Sequence, residues 1–152
     1  MKRGKTLFTT VAMAAAITAG AAYGGPAVQV TVKHLGASGS APAVYTITNA
    51  NETSTYQNSR PKPDQEISGG NTGFYTVQSL ISPDTNFATV RYKIGDKTCV
   101  FSTTFLNIRS ATGSKTPQWK KSATPSGGAS CTATITSTNY TDYSWAVQFT
   151  MK

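Results

Sequence analysis

The feature that most constrains this chain is a period-two alternation of apolar and polar residues that recurs from Val28 to Met151. Such alternation puts every second side chain on one face of a strand, so it specifies half-buried β-structure. Val28, Val30 and Val32 alternate with Gln29, Thr31 and Lys33, and Tyr45 and Ile47 alternate with Thr46 and Thr48. Tyr75, Val77 and Ile81 share one parity within Phe74–Ile81, and Val90, Tyr92 and Ile94 share another. Thr98–Leu106, Ser130–Thr136 and Tyr143–Met151 complete about seven strands. No segment has a convincing amphipathic-helix pattern. The expected fold is all-β, an antiparallel β-sandwich, with a partly closed barrel as the alternative.

One hairpin is specific. Gly95-Asp96, with Gly first, suits a two-residue primed turn. That turn would set Ile94 opposite Lys97, Tyr92 opposite Cys99 and Val90 opposite Phe101, and opposed side chains share a face. Cys99 then points to the apolar face with Val90, Tyr92, Phe101 and Phe105. Cys131 shares its parity with Ala133 and Ile135. The two cysteines are therefore expected to form one buried structural disulfide. Trp145, Val147, Phe149 and Met151 should close the core.

The N-terminus has the order of a secretory signal: Lys2, Arg3 and Lys5, an apolar run from about Leu7 to Ala22, then small residues. Residues 1–24 are assigned to a signal peptide, cut after Ala21 or Gly24, and 25–152 to a single domain. The run is short for a membrane span, which takes roughly 20 apolar residues. The expected location is secreted or periplasmic, in a bacterial source, with no transmembrane segment in the mature form.

The whole chain carries a formal charge of +8, and loss of Lys2, Arg3 and Lys5 leaves 11 basic residues against 6 acidic. No acid lies between Lys97 and Thr141, a stretch containing Lys97, Arg109, Lys115, Lys120 and Lys121. An uncompensated positive field favours anionic lipid, lipopolysaccharide or glycan, or a cell-surface protein. Export makes nucleic acid the least expected partner.

Two long connections interrupt the strands, Asn49–Gly73 and Asn107–Ala129, and the first could hold a short strand near Gln65–Ser68. The second contains Lys115-Thr116-Pro117-Gln118-Trp119-Lys120-Lys121, an indole among lysines that suits a membrane interface or a sugar face. Trp119, Lys120, Lys121, Lys115 and Arg109 are the candidate binding residues. Tyr140 and Tyr143 are secondary aromatic candidates.

Catalytic and metal constellations are not signalled. His34 is a lone histidine expected at a surface or turn position, without a spaced nucleophile or acid. Asp64 and Glu66 would share a strand face but sit in a polar, proline-flanked segment and are expected to be solvated. Two cysteines and one histidine do not complete a zinc site. No cofactor or metal is expected, and the chain is expected not to be an enzyme. Asn51-Glu52-Thr53 and Asn139-Tyr140-Thr141 match the glycosylation sequon, which bears on structure only in a eukaryotic host.

In size and aromatic-basic stretches the chain resembles small sandwich cytolysins and other membrane-binding β proteins. In size, signal and terminal alternating strand it resembles secreted pilus subunits. It departs from the latter in a bridge confined to its second half and in an end, Gln148–Lys152, without the penultimate Tyr many of them carry. No residue roles are transferred from either. The first expectation is a secreted binder of an anionic or glycan-bearing surface. The alternatives are a fibre or coat subunit self-associating through edge strands, suggested by Val28–Lys33 near a free N-terminus, and a membrane-active toxin or effector.

Overall fold

A computed structural model describes residues 24–152. The expected signal peptide falls almost wholly on 1–23, outside the described residues. Among the described residues the chain is mostly β, with two sheets, one short helix and a buried disulfide between Cys99 and Cys131. The strands are β1 (Val28–His34), β2 (Ala43–Thr46), β3 (Ser59–Arg60), β4 (Glu66–Ile67), β5 (Thr72–Val77), β6 (Thr85–Ile94), β7 (Lys97–Arg109), β8 (Lys115–Ser126), β9 (Cys131–Thr138) and β10 (Trp145–Met151). One sheet has the order β3-β5-β1-β10-β9 and the other β4-β2-β6-β7-β8.

The inward residues are those the alternation marked. Val28, Val30, Val32, Tyr75, Val77, Trp145, Val147, Phe149 and Met151 from the first sheet meet Tyr45, Val90, Tyr92, Cys99, Phe101 and Phe105 from the second. Phe101 stacks on Phe149 across the interior, centroids 4.7 Å apart. The Gly95-Asp96 turn pairs Ile94 with Lys97, Tyr92 with Cys99 and Val90 with Phe101, and Gly95 takes the positive φ the turn requires. The disulfide fastens β7 to β9, and so one sheet to the other.

Several expectations are corrected. Among the described residues there are ten strands rather than about seven, and β1 runs parallel to β10, so the pairing is not wholly antiparallel. Alternation reports which face a residue takes, not which strand it pairs with or in what direction. β5 stops at Val77, and Ile81 is 88% exposed instead of core-facing. The segment Ser79–Asp84 has Ser-Pro-Asp turn chemistry that ends the strand.

The connection Asn107–Ala129 is largely the strand β8, whose Pro117 and Pro125 are tolerated because its far side pairs with no strand. The connection Asn49–Gly73 holds β4, inside the Gln65–Ser68 segment, and the helix α1 (Ala50–Gln57). Asn49 caps α1 by accepting a hydrogen bond from the Glu52 N–H at 3.0 Å. The side of α1 that packs on β6 is polar, which is why no apolar periodicity revealed it. Thr55 Oγ1 accepts from Thr89 N–H at 2.9 Å, and fully buried Glu52 receives hydrogen bonds from Thr48 N–H (2.6 Å), Thr48 Oγ1 (3.0 Å) and Arg91 Nε (3.0 Å). Burial alone would raise the Glu52 pKa, but these donors outweigh it and hold the carboxyl below its ordinary 4.5.

The side of the molecule where β8 meets β9 is sealed by the disulfide and by Lys121 Nζ, which donates to Ala133 O at 2.6 Å. At the opposite side the outermost strands, β3 and β4, are two residues each. Short or covered edges offer little template for strand addition.

Two stability measurements check this arrangement. Replacing Cys99 and Cys131 together with Ala should lower the unfolding free energy by about 3–4 kcal/mol, from the freedom returned to the unfolded chain, read by urea titration. Because the Glu52 pKa is lowered on folding, its contribution is full above its ordinary value and is lost as pH falls through the folded value. Glu52→Gln should therefore be less stable than wild type at neutral pH and should lose less stability on acidification; parallel acid limbs would contradict the assignment.

Candidate functional site at the loop end

Strand direction sends four segments to one end of the molecule: residues 24–27 before β1, 78–84 between β5 and β6, 110–114 between β7 and β8, and 139–144 between β9 and β10. The disulfide lies at the other end. Buried Asn86 ties two of these segments together. Its Nδ2 donates to Pro26 O (2.7 Å) and Val77 O (3.0 Å), and its Oδ1 accepts from Ser79 N–H (3.3 Å). Gly25 N–H donates to Ser79 O at 2.7 Å. A side chain at Gly25 would press its Cβ to within 2.5 Å of Thr85 O, so this close approach requires glycine.

A cleft of about 430 Å³ opens between these segments, lined in part by Gly25, Gln78, Asp84, Asn107, Lys115 and Tyr143, with Asp142 and Ser144 on its wall. Asp84 is its electrostatic centre. Its Oδ1 accepts from Lys115 Nζ at 2.5 Å and from Asn107 Nδ2 at 3.3 Å, and its Oδ2 lies 3.9 Å from Arg109. The Lys115 hydrogen bond, chiefly, lowers the Asp84 pKa. Asp142 Oδ1 accepts from Ser144 Oγ (2.7 Å) and N–H (2.9 Å), which likewise lowers its pKa. Asn107 is buried, and its Oδ1 has no hydrogen-bond partner among the described residues.

Aromatic rings stand beside the cleft. The Tyr143 ring stacks on Phe105 at 5.3 Å, and its backbone holds a φ of 62°, a strained conformation for a bulky residue. Its carbonyl accepts from Trp119 Nε1 at 3.3 Å. Trp119 packs against Phe105 at 5.5 Å and meets Tyr140 edge-on at 5.1 Å. Tyr140 is 70% exposed. Leu80, 67% exposed, and Ile81 add apolar surface at the same end.

The structure thus gathers Arg109, Lys115, Trp119, Tyr140 and Tyr143, which the sequence left in separate groups. It does not keep Trp119, Lys120 and Lys121 in one loop. They are consecutive on β8, so Lys120 turns to the outer face of its sheet, near Phe87 and Gln118, while Lys121 points with Trp119 toward the β9 side. Trp119 is half-buried against the core. The acid-free stretch is not free of acid in space, because Asp84, from outside it, reaches both Arg109 and Lys115. Asp84, Asn107 and the Leu80-Ile81 tip were not marked by the sequence. Only Pro83-Asp84 signalled a turn there.

His34 is buried rather than surface-placed. Its Nε2 lies 2.9 Å from Ala41 O, and its Nδ1 accepts from Gly36 N–H at 2.9 Å, so the ring fastens its own loop. Asp64 and Glu66 are exposed. Among the described residues there is no group of three or more His, Cys, Asp or Glu placed to hold a metal, and no helix is long and apolar enough to cross a membrane. The chain matches no family model and no curated protein.

Because Asp84 cancels two cations, Asp84→Asn should strengthen adsorption to anionic vesicles over wild type at low salt, with the gain erased at high salt. Sedimentation with phosphatidylglycerol vesicles measures this; an unchanged bound fraction would show that the cancellation does not govern adsorption.

Proposed function

We propose that this chain is an exported, non-enzymatic β-sandwich binding domain that recognises a glycan-bearing surface through its loop end. The observation that carries the reading is a group of aromatic residues, Trp119, Tyr140 and Tyr143, of which Tyr143 lines a cleft walled by carboxylate and amide groups. A concave site that pairs an aromatic surface with a few fixed polar groups suits a ligand with an apolar face and many hydroxyls. Pairing of Arg109 and Lys115 with Asp84 weighs against a site that works by net positive charge.

Export follows from the signal-like residues 1–24, removed after Ala21 or Gly24, and agrees with a disulfide, which persists in the periplasm or outside the cell. Gly25 and Pro26 are already fastened to the domain, which suits a mature chain starting just before them. The alternative of a fibre subunit drew on Val28–Lys33 as a strand near a free end. That strand lies between β5 and β10 with both edges paired.

One observation favours a second reading, contact with a lipid membrane: Leu80 and Ile81 are adjacent and exposed, and follow Ser79, whose N–H is held by Asn86. Two such side chains on the rim could enter the headgroup region.

Glycan arrays and vesicle co-sedimentation with the mature domain test both. The first reading predicts glycan binding that Lys120→Gln leaves unchanged, since Lys120 faces away from the cleft. Vesicle binding abolished by Leu80→Ser with Ile81→Ser, without glycan binding, would replace it with the second.

A further inference from the structure

We propose that the loop-end cleft accepts an uncharged, hydroxyl-rich sugar residue, with the Tyr140 ring as its stacking face. This rests on the glycan reading above and narrows it to a ligand class and a residue.

The charge balance selects against anions and cations alike. Arg109 and Lys115 are matched in number by Asp84 and Asp142, and the first three are already in contact. A phosphate or carboxylate entering the cleft would have to displace Asp84 from Lys115. A cation would meet the Lys115 ammonium on the cleft wall. A neutral ligand disturbs neither pair.

The hydrogen-bonding capacity left over is for donors. Asp142 is exposed on the cleft wall, and its Oδ2 makes no hydrogen bond among the described residues. Sugar hydroxyls, directly or through one water, can donate to that oxygen. Phosphate esters without protons cannot.

The choice of ring follows from how each aromatic is already used. The Trp119 indole N–H is committed to Tyr143 O, and its ring lies half-buried against Phe105. Tyr143 stacks on Phe105. Tyr140 is largely exposed, and the Trp119 edge contact fixes its plane. Tyr140 does not line the cleft, but it lies two residues from the wall residue Asp142 in the same short connection, so a ligand seated against that wall can extend onto the ring. The sequence-favoured Trp119 becomes the buttress, and Tyr140 the contact.

The test uses the mature, disulfide-bonded domain in calorimetric titrations with neutral oligosaccharides of glucose, mannose, galactose and N-acetylglucosamine. Alginate and phosphatidylglycerol vesicles serve as anionic comparisons. The expected result is binding to at least one neutral oligosaccharide that is unaffected by raising salt and is accompanied by a change in tryptophan emission. Tyr140→Ala should weaken it by about tenfold or more, while Tyr140→Phe, which keeps the ring, should stay within about twofold. Should Tyr140→Ala melt early, the Tyr140→Phe and salt series still decide.

Binding of alginate or vesicles alone, weakened by salt, would overturn the neutral-ligand inference and leave surface recognition standing. Neutral binding indifferent to a folded Tyr140→Ala would overturn the choice of ring. No binding to any probe would overturn this inference and the glycan reading together.

Discussion

Two β-sheets of this size can slide or open unless something sets their relative position, and here a covalent bond does so at one end. Cys99 and Cys131 bind the central part of one sheet to the outermost long strand of the other. Along the rest of the interface the restraint is apolar contact, with Phe101 on Phe149 and Phe105 against Trp145. Polar contacts cross it too: Trp145 Nε1 donates to Thr103 Oγ1, which donates to Lys120 O, and Asn86 Nδ2 donates to Val77 O. Close-packed interiors transmit such restraints with little give. The four segments at the far end therefore stand on strands of fixed mutual position.

That end is where local rules of folding are broken. Tyr143 holds a backbone conformation that disfavours a side chain, Asn107 buries an unpaired oxygen, and Leu80 and Ile81 face solvent. Elsewhere the helix N-cap is satisfied and the helix carboxylate is paired, although the buried hydroxyls of Tyr45, Tyr75 and Tyr92 also lack partners among the described residues and Phe74 is exposed. What sets the loop end apart is the strained backbone of Tyr143, the one non-glycine residue with positive φ among the described residues, and such strain is a feature of functional surfaces.

How much of this was legible depended on whether a residue's role was expressed by its near neighbours. The Gly95-Asp96 hairpin, the inward set of β1 and β10 and the cysteine pair follow from turn chemistry and parity, which are local, and the structure agrees. The helix α1 was hidden because its buried positions are Glu52 and Thr55, held by hydrogen bonds rather than by apolar burial. β8 was hidden because Lys121 interrupts its apolar parity and two prolines suggest a loop, though both are compatible with an outermost strand. The site was legible as residue types but not as an assembly. Tyr140, Tyr143 and Trp119 were each marked, yet only the β7–β8 and β9–β10 pairings bring them together. Asp84, which sets the charge of the cleft, is distant in sequence from the cations it neutralises.

The measurement that tests the central claim most directly is an amide-resolved nuclear magnetic resonance titration of the mature domain with whichever neutral oligosaccharide it retains. A loop-end site predicts that the perturbed amides fall in residues 24–27 and 78–84, at Asn107, and in 139–144, with the strand residues around the disulfide unmoved. Perturbations confined to the outer face of either sheet, for example around Phe74 and Gln148 or around Phe87 and Lys120, would contradict it.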